Sequence, residues 1–210
     1  MKYVYDDVRN SILSRIDEID LSTEVKIKIT LTDDNYNLVL LNKIYERYNN
    51  QSKLDYYLEK SFVRSMLKEG EFSEKLTISD LENKLRNYKL CQFEINYDET
   101  VGIKKNDKVS GIYVWFNEKK QEIYIGRAIN IVKRFSHTNY GSISPRNIFR
   151  GGQSTNVKMN NYMAENFNNI EIYFYKAKDG KYREAESKLL ISEELAKSGL
   201  TKLNTQNSAT

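Results

Sequence analysis

Gly111-Ile112-Tyr113-Val114-Trp115-Phe116 and Glu122-Ile123-Tyr124-Ile125-Gly126, separated by Asn117-Glu118-Lys119-Lys120-Gln121, read together as a β-hairpin. Each apolar run alternates with the two-residue period of a strand, and the polar residues between them make a turn. With the turn centred on Glu118-Lys119, Phe116 faces Gln121 and Tyr113 faces Tyr124 on one side of the sheet. Ile112, Val114, Ile123 and Ile125 take the other side, which suits a core. The pattern sets two phenols side by side, opposite an apolar face. An aromatic cross-strand pair that only stabilises the hairpin is the plainer alternative.

Downstream of the hairpin the spacing predicts a helix after Gly126. Ala128, Ile131, Val132 and Phe135 fall at i, i+3, i+4 and i+7, the stripe a helix buries. Asn130, Arg134 and His137 lie on another side, so Arg134 leaves that stripe and can turn toward the tyrosine face. A guanidinium suits a phosphodiester, because its planar fork donates two hydrogen bonds and keeps its charge at any working pH. A loop-rich stretch from Thr138 to Asn156 follows, with Gly141, Pro145 and Gly151-Gly152. Ile170 to Tyr175 alternates as a third strand, and a helix is predicted from Tyr182 to Lys197 with Ala185, Leu189 and Ala196 in line. Glu186 has Tyr182 one turn before it and Leu189 and Leu190 one turn after. A carboxylate with such neighbours is costly unless something pairs with it. A hard cation such as Mg²⁺ is one such partner; Arg183 or Lys188 is another.

Upstream, residues 1–100 read as a mixed, mainly helical accessory region. Helices are predicted over about Asp7–Ile19, Asn35–Tyr48, Leu54–Lys68 and Ser79–Asn87, with strands at Val25–Leu31 and Cys91–Tyr97. The polar segment Asp98–Lys108 divides this region from a second domain at 101–210. The class expected is α+β.

The bulk composition fits a globular chain, with 40% hydrophobic and 30% charged residues among 210. No stretch nears the roughly 20 apolar residues that span a bilayer, and the first residues hold no apolar run, so neither a membrane partner nor a secretory leader is expected. Cys91 alone cannot form an internal disulfide, and one cysteine with one histidine cannot hold structural zinc. A cytoplasmic location is the natural expectation. The net charge of +4 is unevenly spread: residues 1–100 carry 15 Lys/Arg against 19 Asp/Glu, and residues 101–210 carry 18 against 10. Between Glu122 and Glu165 no acidic residue occurs. That window holds Arg127, Lys133, Arg134, Arg146, Arg150 and Lys158 among many Asn, Ser and Thr, a composition that favours contact with a phosphate backbone.

The order Gly111-Ile112-Tyr113, Tyr124-Ile125-Gly126, Arg134, Glu186 and Asn204 resembles the signature of the GIY-YIG endonucleases over residues 111–204. Arg134 stands ten residues after Tyr124, as that family's helix arginine does. Glu186, followed by Leu189-Leu190-Ile191, is similar to its metal-binding glutamate and is preferred to Glu184. Leu203-Asn204 is similar to its closing asparagine. Where that family often has a histidine four residues after the arginine this chain has Thr138, with His137 one position earlier.

The resemblance implies a three-stranded antiparallel sheet flanked by helices and a DNA endonuclease that hydrolyses phosphodiester bonds with Mg²⁺ or Mn²⁺. It gives Tyr113 the role of general base, Tyr124 that of positioning the water or phosphate, Arg134 the scissile phosphate and Glu186 the metal, with His137 and Asn204 as further candidates. A free phenol titrates at about 10, so a nearby cation is needed to make a base of it. Arg127, Lys133, Arg146, Arg150 and Lys158 are the expected DNA contacts. Restriction or mobile-element use follows by analogy alone, and a homodimer is one way to cut both strands. A tyrosine-nucleophile strand-transfer enzyme and a non-catalytic DNA-binding module are the rival readings.

Overall fold

The computed structural model describes residues 2–32, 89–95, 103, 107–136 and 154–204. Its elements are helix α1 (Lys2–Leu13), strands β1 (Ile19–Leu31), β2 (Cys91–Ile95), β3 (Gly111–Asn117) and β4 (Glu122–Ala128), helices α2 (Ile131–Ser136) and α3 (Ser154–Glu165), strand β5 (Ile170–Ala177), helices α4 (Tyr182–Ile191) and α5 (Glu193–Lys197), and strand β6 (Thr201–Lys202). The helices expected within 35–87 lie outside the described residues.

The class is α+β, but the sheet is not the three-stranded antiparallel one expected. It has six strands in the order β2-β1-β5-β3-β4-β6 and is mixed, because β6 runs parallel to β4. The antiparallel trio β5-β3-β4 is its centre. Two of the three added strands, β1 and β2, come from the N-terminal region: β1 pairs with β5, placing Val25 opposite Phe174 and Ile27 opposite Ile172. A bulge between Asp20 and Val25 absorbs the change of register, and the Thr23 hydroxyl there donates to the Asp20 carbonyl (2.6 Å) and accepts from the Lys176 N–H (2.9 Å).

By compactness the chain forms two units of interleaved segments. The first comprises Met1–Lys28, Glu94–Arg134 and Asn168–Thr210; the second comprises Ile29–Phe93 and Phe135–Phe167. In the second, the buried Asn160 side chain of α3 takes both backbone groups of Cys91, with Cys91 N–H donating to Oδ1 (2.9 Å) and Nδ2 donating to Cys91 O (2.7 Å). Burial also pushes the Cys91 thiol well above its usual range.

In the first unit the hairpin register differs from the expected one by two residues. Tyr113 pairs with Gly126, Trp115 with Tyr124, and Asn117 with Glu122. The turn takes in Glu118–Gln121; the Lys120 N–H donates to Asn117 Oδ1 (3.2 Å) and Gln121 adopts φ +53°. A slip of two preserves which face each side chain takes. Ile112, Val114, Phe116, Ile123 and Ile125 therefore do enter a core, with Ile12, Leu13 and Ile16 from the N-terminal segment, Ala185 and Leu189 of α4, and Leu195 of α5. The opposite face is buried as well: all seven residues of β3 are, Trp115 and Tyr113 included. Both faces of β3 are thus covered.

Helix bounds shift for local reasons. The first helix ends at Leu13, not Ile19, and the turn that follows still delivers Ile16 and Ile19 to the core. Ala128 belongs to β4, and α2 starts only at Ile131, where the Asn130 side chain accepts from the Lys133 N–H (2.9 Å) as a cap. The last long helix breaks at Ser192, whose extended backbone (ψ 141°) closes α4 and whose hydroxyl caps α5. The break rotates the register, so Leu195 is buried and Ala196 is exposed. Among the described residues, no helix is long and apolar enough to cross a membrane.

Both motif glycines answer to close packing. A Cβ on Gly111 would stand 2.0 Å from the Tyr175 carbonyl oxygen, and one on Gly126 would stand 2.2 Å from Cζ and 2.3 Å from the hydroxyl of Tyr113. Gly126→Ala is expected to cost about 1–3 kcal/mol in thermal or denaturant unfolding, as an overpacked site does. That cost should largely vanish in a Tyr113→Ala background, because the clash is with one side chain. Gly111→Ala should not be rescued that way, since it meets backbone. An undiminished Gly126→Ala penalty in the double variant would contradict the packing described.

Candidate active site

Three of the expected residues assemble at the C-terminal end of β4. The ring of Tyr113 lies over Gly126 and stacks at an offset on Tyr124, with centroids 6.2 Å apart and planes 26° apart. Tyr124 also stacks on Trp115 at 5.0 Å, which makes a ladder of three aromatic rings. Nothing in the sequence reading marked Trp115, though it shares the face of both tyrosines by alternation. The Arg134 guanidinium, from α2, sits 5.9 Å from the centre of the Tyr113 ring and donates from Nη2 to the Arg127 carbonyl at 3.4 Å. Tyr113 itself is 2% exposed.

Glu186 arrives from the other side of the sheet. Ala185 and Leu189 fix α4 against the core, and Glu186 extends to Arg127, whose side chain points opposite to those of Tyr124 and Gly126 by strand alternation. Arg127 Nη1 donates to Glu186 Oε2 at 2.5 Å. Neither Arg183 nor Lys188 is that partner; Lys188 pairs instead with the buried Glu18. Burial raises the Glu186 carboxyl above the usual carboxylate range, against the opposing charges of Arg127 and then Arg134. Arg134 is therefore the link between the halves of the site: it lies beside the Tyr113 ring and its charge is felt at Glu186.

Asn204 makes its contacts elsewhere. Its Nδ2 donates to Ile125 O (2.6 Å) and its Oδ1 accepts from Ile125 N–H (3.1 Å). These bonds continue a ladder begun by Thr201 N–H to Gln121 O and Leu203 N–H to Ile123 O, each 2.9 Å. Asn204 thus acts as one more rung along β4. Lys133 is exposed on α2, and Lys158 lies in α3. His137, Arg146 and Arg150 lie outside the described residues. Glu184, the competing carboxylate, is exposed in the first turn of α4.

A carboxylate that is largely buried yet still reached by a cation is a donor fit for Mg²⁺, which keeps several waters and takes one or two protein carboxylates. The cation that reaches it here is the Arg127 guanidinium. Among the described residues no group of three or more His, Cys, Asp or Glu gathers around Glu186 or elsewhere.

Asn204→Ala strips Ile125 of two partners and is expected to cost about 1–3 kcal/mol, with faster hydrogen exchange at the Ile125 amide. Unchanged exchange there would show that the amide is not a rung. For Glu186 the sign is that of a raised acid: its contribution to stability is full below the unfolded carboxylate value, about 4.3, and is lost as pH rises through the higher folded one. Arg127→Gln should move the Glu186 titration, followed by carboxyl NMR, to still higher pH. A shift downward would mean the guanidinium does not stabilise the carboxylate. Comparison with family models, with curated proteins and with solved structures returns no match for this chain.

Proposed function

We propose that the chain is a divalent-metal-dependent DNA endonuclease whose site is the cluster at the end of β4. The observation that carries this reading is the position of Arg134, beside the Tyr113 ring and with its charge acting on the half-buried Glu186 carboxyl. A binding module has no need of that sequence of groups, whereas hydrolysis of a phosphodiester uses each one. Arg134 would bind the scissile phosphate and offset the charge that grows on it in the transition state. Tyr113 would take a proton from the attacking water as the new P–O bond forms. The P–O3′ bond then breaks and the 3′ oxygen leaves as a hydroxyl, taking its proton from solvent water. Tyr124, held between Tyr113 and Trp115, would orient the water or the phosphate. Glu186 would hold the metal, which when bound shields the phosphate and favours departure of the leaving oxygen. Because Tyr113 is 2% exposed, its hydroxyl must be uncovered when DNA binds. Arg127, Lys133, Arg146, Arg150 and Lys158 would track the backbone.

Glu186→Ala is expected to abolish nicking and linearisation of supercoiled plasmid in Mg²⁺, with duplex binding in gel shift retained. Cleavage at the unaltered rate would sink the metal role. Arg134→Ala should lower turnover by about 10²–10³-fold, the range for losing one donor to a transition-state charge. A change in affinity alone would make Arg134 a docking residue.

A further inference from the structure

The proposed site contains an ion pair that its chemistry does not use. Arg127 and Glu186 meet at 2.5 Å, and the two side chains differ in exposure, at 45% for the arginine and 12% for the glutamate. The acid is anchored on α4 by Ala185 and Leu189. The base comes in from the edge of β4 and keeps a face toward solvent. Pulling the pair apart is therefore a movement of Arg127, not of Glu186. A guanidinium and a divalent cation on the same carboxylate oxygen disfavour one another, because the two positive charges repel at that distance. A phosphodiester is the natural competitor for the arginine, since it offers two oxygens to the planar fork. Such a phosphate would be brought close by Arg134, which already bonds to the Arg127 carbonyl.

Building on the reading of Glu186 as the ion-holding carboxylate, we propose that Arg127 is a latch: it closes Glu186 to divalent metal until a DNA phosphate draws the guanidinium away. Metal and substrate then load together, and the DNA-free protein holds metal weakly. Arg127 is a positioning residue in this scheme. Mutual exclusion also runs in reverse, because DNA must break the pair to recruit Arg127.

The test uses the full chain without nuclease assay. Isothermal titration with Mn²⁺ alone, in the absence of DNA, compares wild type, Arg127→Gln, Glu186→Gln and the double variant. Arg127→Gln is expected to bind Mn²⁺ at least tenfold tighter than wild type, and the double variant should lose that gain. In EDTA, Glu186→Gln should bind a short duplex several-fold tighter than wild type, and this gain should vanish in the double variant. Thermal melts accompany each variant, and Arg127→Met, which keeps the aliphatic stem, replaces Arg127→Gln if the latter unfolds below assay temperature. Equal Mn²⁺ affinity in wild type and Arg127→Gln, with binding abolished by Glu186→Gln, overturns the latch and leaves the metal role of Glu186 standing. Mn²⁺ affinity independent of Glu186 in every variant overturns both.

Discussion

The ring of Tyr113 lying flat across Gly126 is the contact on which the rest of this structure turns. It requires residue 126 to have no side chain, and it fixes the strand register that faces Trp115 with Tyr124. It also sets the height at which Tyr124 stacks, and so the ladder of three rings. Aromatic pairs of this kind contribute about 0.5–1.5 kcal/mol beyond the area they bury. Their larger effect here is geometric, because a ladder locked on both sides cannot slide. The polar groups at the end of β4 are hung from a fixed frame.

Electrostatics divides the site unequally. Among the described residues, two arginines and one carboxylate come together in a small region. Arg134 donates to the Arg127 carbonyl and lies beside the Tyr113 ring. Arg127 is neutralised by Glu186.

The hairpin, the faces of Tyr113 and Tyr124, and the departure of Arg134 from the buried stripe were all legible in the sequence. The reason is that a strand repeats every two residues, so a register wrong by two leaves every face right. The turn itself was misplaced because no Asn-Gly or Asp-Gly marks it; the positive φ falls on Gln121, which carries no such signal. Val25–Leu31 could be read as a strand, but not as a member of this sheet, since its partner lies in another part of the chain. The Arg127–Glu186 pair was invisible for the same reason: helix spacing offers only local partners, and the true one comes from β4. Asn204 was singled out through a resemblance, and its bonds to Ile125 are a matter of tertiary position that no pattern encodes.

The pairing of β1 with β5 also bears on when the molecule can be finished. Val25 finds its neighbour in Phe174, a separation of 149 positions. A chain leaves the ribosome from its N-terminus at about 5–20 residues each second. The first strand therefore waits for several seconds with its pairing edge exposed before its companion has been made. Long-range pairing of this sort slows folding, because the loop must close before any contact rewards it. Lys26 and Lys28, exposed in alternation with the buried Val25 and Ile27, put charge on that waiting strand and discourage it from pairing with another chain meanwhile.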